Sequence, residues 1–222
     1  MKICFLGNSH LTFCSAVAAV ERSWEAVFQE EINSAALIFV AQDTPTDKKG
    51  HRDTEAIGLW VAKALEHKVP VIVSSQVPPL FMRRIPRENI YHQPETLRML
   101  DASYRARNPE RIVVGCADPQ AELPENYKRY LSSFGCPILK MTFEEAEFSK
   151  IAVNMALAMQ VDYANRMKGA CEKIGADWSV VKEAVHLDRR IGKQAYLTPG
   201  RWQDSIHLLR DEVTLKEIEN AL

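Results

Sequence analysis

Apolar residues come in short unbroken runs over the N-terminal part of the chain. KICFL ends at Gly7, AALIFVA gives way to Gln42 and Pro45, and VPVIV gives way to Ser74 and Pro78. Such runs predict buried parallel strands, because both faces of the sheet are covered. ENIYHQPE, RIVVGCAD and CPILKMT predict further short strands. Between the first two runs LTFCSAVAAVERSW predicts a helix that is apolar on most faces, and between the second and third DTEAIGLWVAKALEH predicts an amphipathic one. This alternation predicts a parallel α/β layer through residue 141. The pattern then changes. From Phe143 to Ile174 there is no proline and one glycine, which predicts a single long helix that is apolar round most of its circumference. Such a helix needs neighbours on every side. A second copy of the chain is the expected neighbour, covering Ile151, Met155 and Met159 across a two-fold axis. DWSVVKEAVHLD predicts another helix, RRIGKQAYLTPGRWQDSIHLLRD a polar loop, and EVTLKEIENAL a short closing helix. The expected domains are residues 1–141 and 142–222.

Composition narrows the classes of function. The 222 residues carry a formal net charge of −1, so nucleic acid is not an expected main partner. No apolar run reaches membrane-spanning length, and the first residues read as a strand and not as a signal peptide. Cys4, Cys14, Cys116, Cys136 and Cys171 are scattered and odd in number, with no Cys-x-x-Cys pair. They predict neither a metal site nor a disulfide framework, and reduced thiols in a cytoplasm are the simplest reading.

The first strand leads into GNSHLT, residues 7–12. A dinucleotide loop has Gly-x-Gly-x-x-Gly there, so that phosphate reaches backbone N–H groups at a helix N-terminus. Gly7 keeps the turn, while Ser9 and Thr12 replace the other two glycines. The Ser9 hydroxyl has the chemistry to bond a phosphate oxygen, whereas β-branched Thr12 is expected to crowd the helix against the strand. Too little chain precedes AALIFVA for the usual second and third strands. The acid that would take the adenosine ribose is therefore missing, and Glu21 and Glu25 are placed on a helix. His10 reads either as a phosphate donor or as a solvent-exposed loop residue.

Six further stretches, in order along the chain, resemble the UDP-glucose/GDP-mannose dehydrogenase family. They are LIFVAQDTPTDKKG, PVIVSSQVPP, YHQPETLRMLDASYRARNPERIVVG, the helix AEFSKIAVNMALAMQVDYANRMKGACEKIGAD, LDRRIG and PGRWQDSIHLLRD. The resemblance implies a reduced Rossmann-type parallel sheet, then an α-helical dimerisation domain built on one long central helix. Family members continue into a second Rossmann-type domain, and this chain is expected to end before it. The resemblance implies NAD (or NADP) as cofactor, with Gly7, Ser9, Thr12, Thr44, Ser75 and Glu95 on the cofactor side. It implies that Lys150 and Asn154, four apart on one helical face, stabilise an oxyanion, with Asp211 holding water or accepting its proton. Helix packing and solvation is the alternative for that pair. Arg190 corresponds to an arginine that reaches the nucleotide-sugar across the dimer, the alternative being a salt bridge to Asp188 or Glu183.

The chain departs from the family pattern in the last stretch. The nucleophilic cysteine position holds His207, the glycine pair is Asp204 and Ser205, and the loop proline is Leu209. The glutamate that assists hydrolysis of the covalent intermediate is Met99. Covalent trapping needs a strong nucleophile, so oxidation of an alcohol through to an acid is not expected. His207 reads as a base for a single hydride transfer or as a surface residue. Two functions follow: a single NAD-linked hydride transfer between an alcohol and a carbonyl, or an inactive homologue acting as a dimeric ligand-binding or regulatory protein.

Overall fold

The strand β1 (Lys2–Leu6) forms where KICFL predicts it, and its side chains divide between the two faces of a sheet. Ile3 and Phe5 pack in one layer, while Cys4 and Leu6 pack in the other. The structure is a computed structural model and describes every residue except Met99 and Leu222. After β1 come α1 (His10–Val20), β2 (Glu25–Val27), β3 (Leu37–Val40), α2 (Glu55–Leu65), β4 (Val71–Val73) and β5 (Ile90–His92). Then follow α3 (Ala102–Arg107), β6 (Ile112–Cys116), α4 (Glu125–Ser132) and β7 (Ile138–Thr142). Among the described residues the strands form one sheet in the order β2-β1-β3-β4-β5-β6-β7.

Two expectations about this sheet are corrected. A second strand is present: β2 pairs in parallel with β1, with Lys2 opposite Glu25 and Cys4 opposite Val27. Glu25 thus begins a strand instead of riding on a helix, and a 3-10 turn, Gln29–Ser34, leads on to β3. The strand escapes a pattern-based reading because three residues are too few to show a period. The sheet is also not wholly parallel. β6 meets β5 antiparallel, with His92 opposite Gly115, and β7 then runs parallel to β6.

The chain divides into two compact units, Met1–Pro45 with Arg52–Lys150, and Thr46–His51 with Ile151–Leu222. The long helix α5 (Phe143–Lys173) has the predicted extent, and Gly175, at φ +74°, turns the chain after it. In the first unit Gly115 permits close approach of α5 to the sheet: a Cβ there would lie 2.6 Å from the Cβ of Ala146.

The second unit holds α6 (Trp178–Leu187), whose N-terminal N–H of Ser179 is capped by the Asp177 carboxylate at 2.7 Å, and α7 (Ile206–Asn220). It has two small cores. One gathers Ala164, Cys171, Trp178 and Leu197; the other gathers Ile151, Met155 and Ala158 with Trp202, Leu208 and Leu215. Two more expectations are corrected here. Ile151 and Met155 are buried inside the unit at 1% and 9% exposure, so they are not the face offered to a second copy; Met159, at 72%, remains outward. And α7 starts at Ile206, so His207 and Asp211 stand on a helix and not on a loop. With Asp204 and Ser205 replacing glycines, and Leu209 replacing proline, nothing in the backbone chemistry opposes helix there. All five cysteines are free. Among the described residues no helix is long and apolar enough to cross a membrane.

Candidate functional site

In the first unit the chain leaves β1 for β2 on one side and returns as β3 on the other. That reversal makes the crevice at the strand tips the place where a doubly wound sheet binds ligands. Here the tips are joined by side chains. The N–H of Asn8 donates to Gln42 Oε1 at 3.0 Å. The Ser9 hydroxyl donates to the carbonyl of Ala41 at 3.3 Å and accepts from the N–H of Asp43 at 2.8 Å. Thr12 Oγ1 donates to the same Ala41 carbonyl at 2.7 Å and accepts from the N–H of Ser9 at 3.1 Å. Gly7, at φ +134°, makes room for this arrangement, since a Cβ there would lie 2.7 Å from Thr12 Oγ1. Thr12 therefore does not push α1 away, as its branching suggested: its hydroxyl ties the helix to the end of β3. His10 is exposed and its Nε2 lies 3.6 Å from the sulfur of Cys14, whose thiol is pushed up by burial.

The other expected cofactor residues also meet protein groups. The Thr44 hydroxyl donates to the carbonyl of Gln76 at 2.6 Å, and Ser75 Oγ accepts from the N–H of Gln42 at 3.0 Å. Glu95 accepts from the N–H of Leu97 at 2.6 Å and pairs with Lys150 at 3.6 Å, both side chains being more than four-fifths buried. A lysine so neutralised keeps a charge-assisted donor but offers little net positive potential to a developing oxyanion.

The second unit has its own polar centre. Asn154 Nδ2 donates to Asp211 Oδ2 at 2.6 Å, and both are buried. Arg210 Nε stands 3.8 Å from Asp211 Oδ1, and Arg210 also reaches Thr46 Oγ1 at 3.4 Å. Gly50, at φ +92°, lets the segment of residues 46–51 lie against α7, since a Cβ there would meet Val213 at 2.9 Å. His207 is exposed at the second position of α7. Arg190 is 89% exposed, and its guanidinium grips Asp188 through Nη2 at 2.7 Å and Nε at 3.0 Å, the salt-bridge alternative for this residue. Met99 lies outside the described residues.

Three groups were not anticipated from sequence. Gln42 and Asp43 supply half of the bridges across the crevice, and a polar pair after an apolar run carries no signal for that. Glu147 is 2% exposed and accepts the N–H groups of Leu80 at 2.7 Å and Met82 at 2.8 Å. Burial raises its carboxyl from the usual range despite the two amides. The sequence carries no hint of this, since Glu147 follows Glu144 and Glu145 in one acidic stretch. His92, 1% exposed, bonds the carbonyl of Val73 through Nδ1 at 2.9 Å, and burial lowers its pKa to about 4.

A mostly parallel sheet with a glycine turn after β1 and a crevice at the strand reversal define a Rossmann-type fold. Residues 144–207 match the central domain of the UDP-glucose/GDP-mannose dehydrogenase family. The chain is 28% identical over 186 residues to UDP-glucose 6-dehydrogenase YwqF of Bacillus subtilis (strain 168), covering 78% of this chain and 42% of that protein. It is 29% identical over 185 residues to the uncharacterized protein MJ1054 of Methanocaldococcus jannaschii, covering 76% and 20%. A UDP-glucose dehydrogenase from Pyrobaculum islandicum superposes with a TM-score of 0.72 at 22% identity, covering 99% of this chain and 68% of that one. The chain is thus similar to the UDP-glucose/GDP-mannose dehydrogenase family, most directly over the stretch that matches its central domain. It spans less than half the length of the curated relatives it matches.

The resemblance implies NAD, and the residues present do not fit it. The second glycine of the fingerprint gives the pyrophosphate its closest backbone approach; here that position is Ser9, whose side chain crosses the crevice to Ala41 and Asp43. The tip of β2, where an acid would take the ribose hydroxyls, leads into Phe28 and Gln29; acids follow only in the 3-10 turn, where Glu31 is paired with Lys2 at 2.9 Å.

Proposed function

We propose that this chain is a dehydrogenase-fold protein that has given up dinucleotide-dependent oxidation and acts as a dimeric ligand-binding or regulatory protein. The observation that carries the reading is the set of hydrogen bonds from Asn8, Ser9 and Thr12 across the tips of β1 and β3. Those bonds occupy the donors and the space that a pyrophosphate needs. The paired state of Lys150 with Glu95, and the exposed histidine at the cysteine position, point the same way. Hydride transfer, the other function expected from the resemblance, has no cofactor cradle on this reading.

A second copy of the chain is the partner. The outward face of α5 carries Ala152, Ala156, Met159 and Tyr163 at spacings of four, three and four, the stripe by which helices pair. Ile174, Val180 and Leu187 in the same unit are at least 70% exposed, an apolar surface that a monomer rarely leaves uncovered. The scattered free cysteines fit a reducing, cytoplasmic setting.

Titration calorimetry of the folded chain with NAD and NADP tests the first claim: no binding heat is expected up to millimolar dinucleotide, and micromolar affinity refutes it. Light scattering tests the second. A dimer is expected at micromolar concentration, with Met159→Glu shifting it to monomer, and a monomeric parent chain removes the claim.

A further inference from the structure

A cavity of about 70 Å³ lies in the first unit, lined by α1, α3, residues 93–97 that follow β5, the start of β6, and Tyr130 and Phe134. Its walls are polar and apolar in about equal measure, the apolar part including Ala18 on α1 and the rings of Phe39, Tyr130 and Phe134. Two polar side chains in the lining are almost wholly buried, Ser74 at 4% and Tyr130 at 3%. Among the described residues neither hydroxyl has a hydrogen-bond partner, although buried hydroxyls ordinarily find one. Neither oxygen is sealed from solvent either, so both are available to something that enters.

The charges in the lining are unequal. Arg105 is held by Asp101 at 3.1 Å, and Glu95 is held by Lys150 at 3.6 Å. Arg111 also lines the cavity, and among the described residues no carboxylate pairs with its guanidinium. Aromatic rings on one part of the wall, two hydroxyls without a protein partner and one cation without a paired carboxylate are the features of a site for a small planar acid.

We infer that this cavity binds a small aromatic carboxylate, with its ring against Phe39, Tyr130 and Phe134 and its carboxylate at Arg111. The inference rests on the ligand-binding reading above and names the ligand's class. The carboxylate accepts from the forked N–H donors of the guanidinium, and the hydroxyls of Ser74 and Tyr130 serve any polar substituent on the ring.

Benzoate is the probe and benzamide its neutral counterpart, each followed by saturation-transfer NMR on the full chain. Benzoate is expected to bind, and benzamide more weakly. Arg111→Met should weaken benzoate at least about tenfold, the value of a hydrogen bond to a charged group, and leave benzamide unchanged. Arg111→Lys should retain part of the preference, which guards against a variant that merely folds badly. Ala18→Leu, by filling the space, should abolish binding of both probes. Failure of benzoate to bind the folded parent chain overturns the inference, and so does equal affinity in Arg111→Met. Calorimetric silence with NAD alongside a negative benzoate result would remove this ligand assignment alone, whereas NAD binding would remove the reading beneath it.

Discussion

Replacing Thr12 by valine tests whether the hydroxyl bridge across the crevice is structural. Valine keeps the shape and branching of threonine and removes only the oxygen. Thr12 is 2% exposed, and its hydroxyl donates to the Ala41 carbonyl at 2.7 Å while accepting the N–H of Ser9 at 3.1 Å. Ala41 is fully buried, and its carbonyl keeps the Ser9 hydroxyl at the longer distance of 3.3 Å. The change therefore removes one good hydrogen bond and leaves one N–H without its acceptor, a loss of about 2 kcal/mol. Thr12→Ser keeps the oxygen and deletes a methyl group, which costs about 1 kcal/mol. Urea unfolding followed by far-UV circular dichroism reads both. With slopes of about 1–3 kcal/mol per molar urea, Thr12→Val should lower the midpoint by about 1 M and Thr12→Ser by about half that. If Thr12→Val is as stable as the parent chain, the oxygen is not a bridge and the case for a closed crevice fails.

His92 makes stability depend on acid. Its pKa in the folded chain is about 4, below the ordinary 6.5, so the unfolded chain takes up the proton first as pH falls. Stability is complete above pH 6.5 and drops by about 3 kcal/mol on going down to pH 4. His92→Asn, which keeps a donor for the Val73 carbonyl, should flatten that part of a pH series of urea midpoints; an unchanged slope assigns the acid sensitivity elsewhere. Asn154→Ala removes a 2.6 Å bond to the buried carboxylate of Asp211, at a cost of about 2–3 kcal/mol because the acceptor is charged. A thermal melt should show a fall of several degrees. Asn154→Asp, which replaces the donor with a second acceptor, should fall further at neutral pH, and a smaller fall than that of Asn154→Ala would show that the donated bond is not what holds the pair.

The periodicity of the chain determined most of the elements. KICFL, LIFV and VIV are buried on both faces and could only be interior strands, and the proline-free stretch from Phe143 could only be one long helix. Those features depend on local propensity and on the burial of contiguous side chains, which a sequence states directly. Residue types in order along the chain likewise carried the resemblance to a family. What sequence could not determine were the matters of who meets whom. Strand β2 exists because Lys2 and Cys4 offer it an edge, not because Glu-Ala-Val has strand character. Ile151 and Met155 look like any outward apolar pair until Trp202, Leu208 and Leu215 arrive to cover them. The start of α7 at Ile206 depended on the loss of a proline and two glycines whose absence removes a barrier without giving a signal. Above all, Ser9 and Thr12 read as a damaged phosphate loop, and only the placement of the Ala41 carbonyl and the Asp43 N–H beside them made the two hydroxyls a seam. Hydrogen bonds between residues some thirty positions apart depend on distance in space, and distance in space is the quantity that the order of residues does not contain.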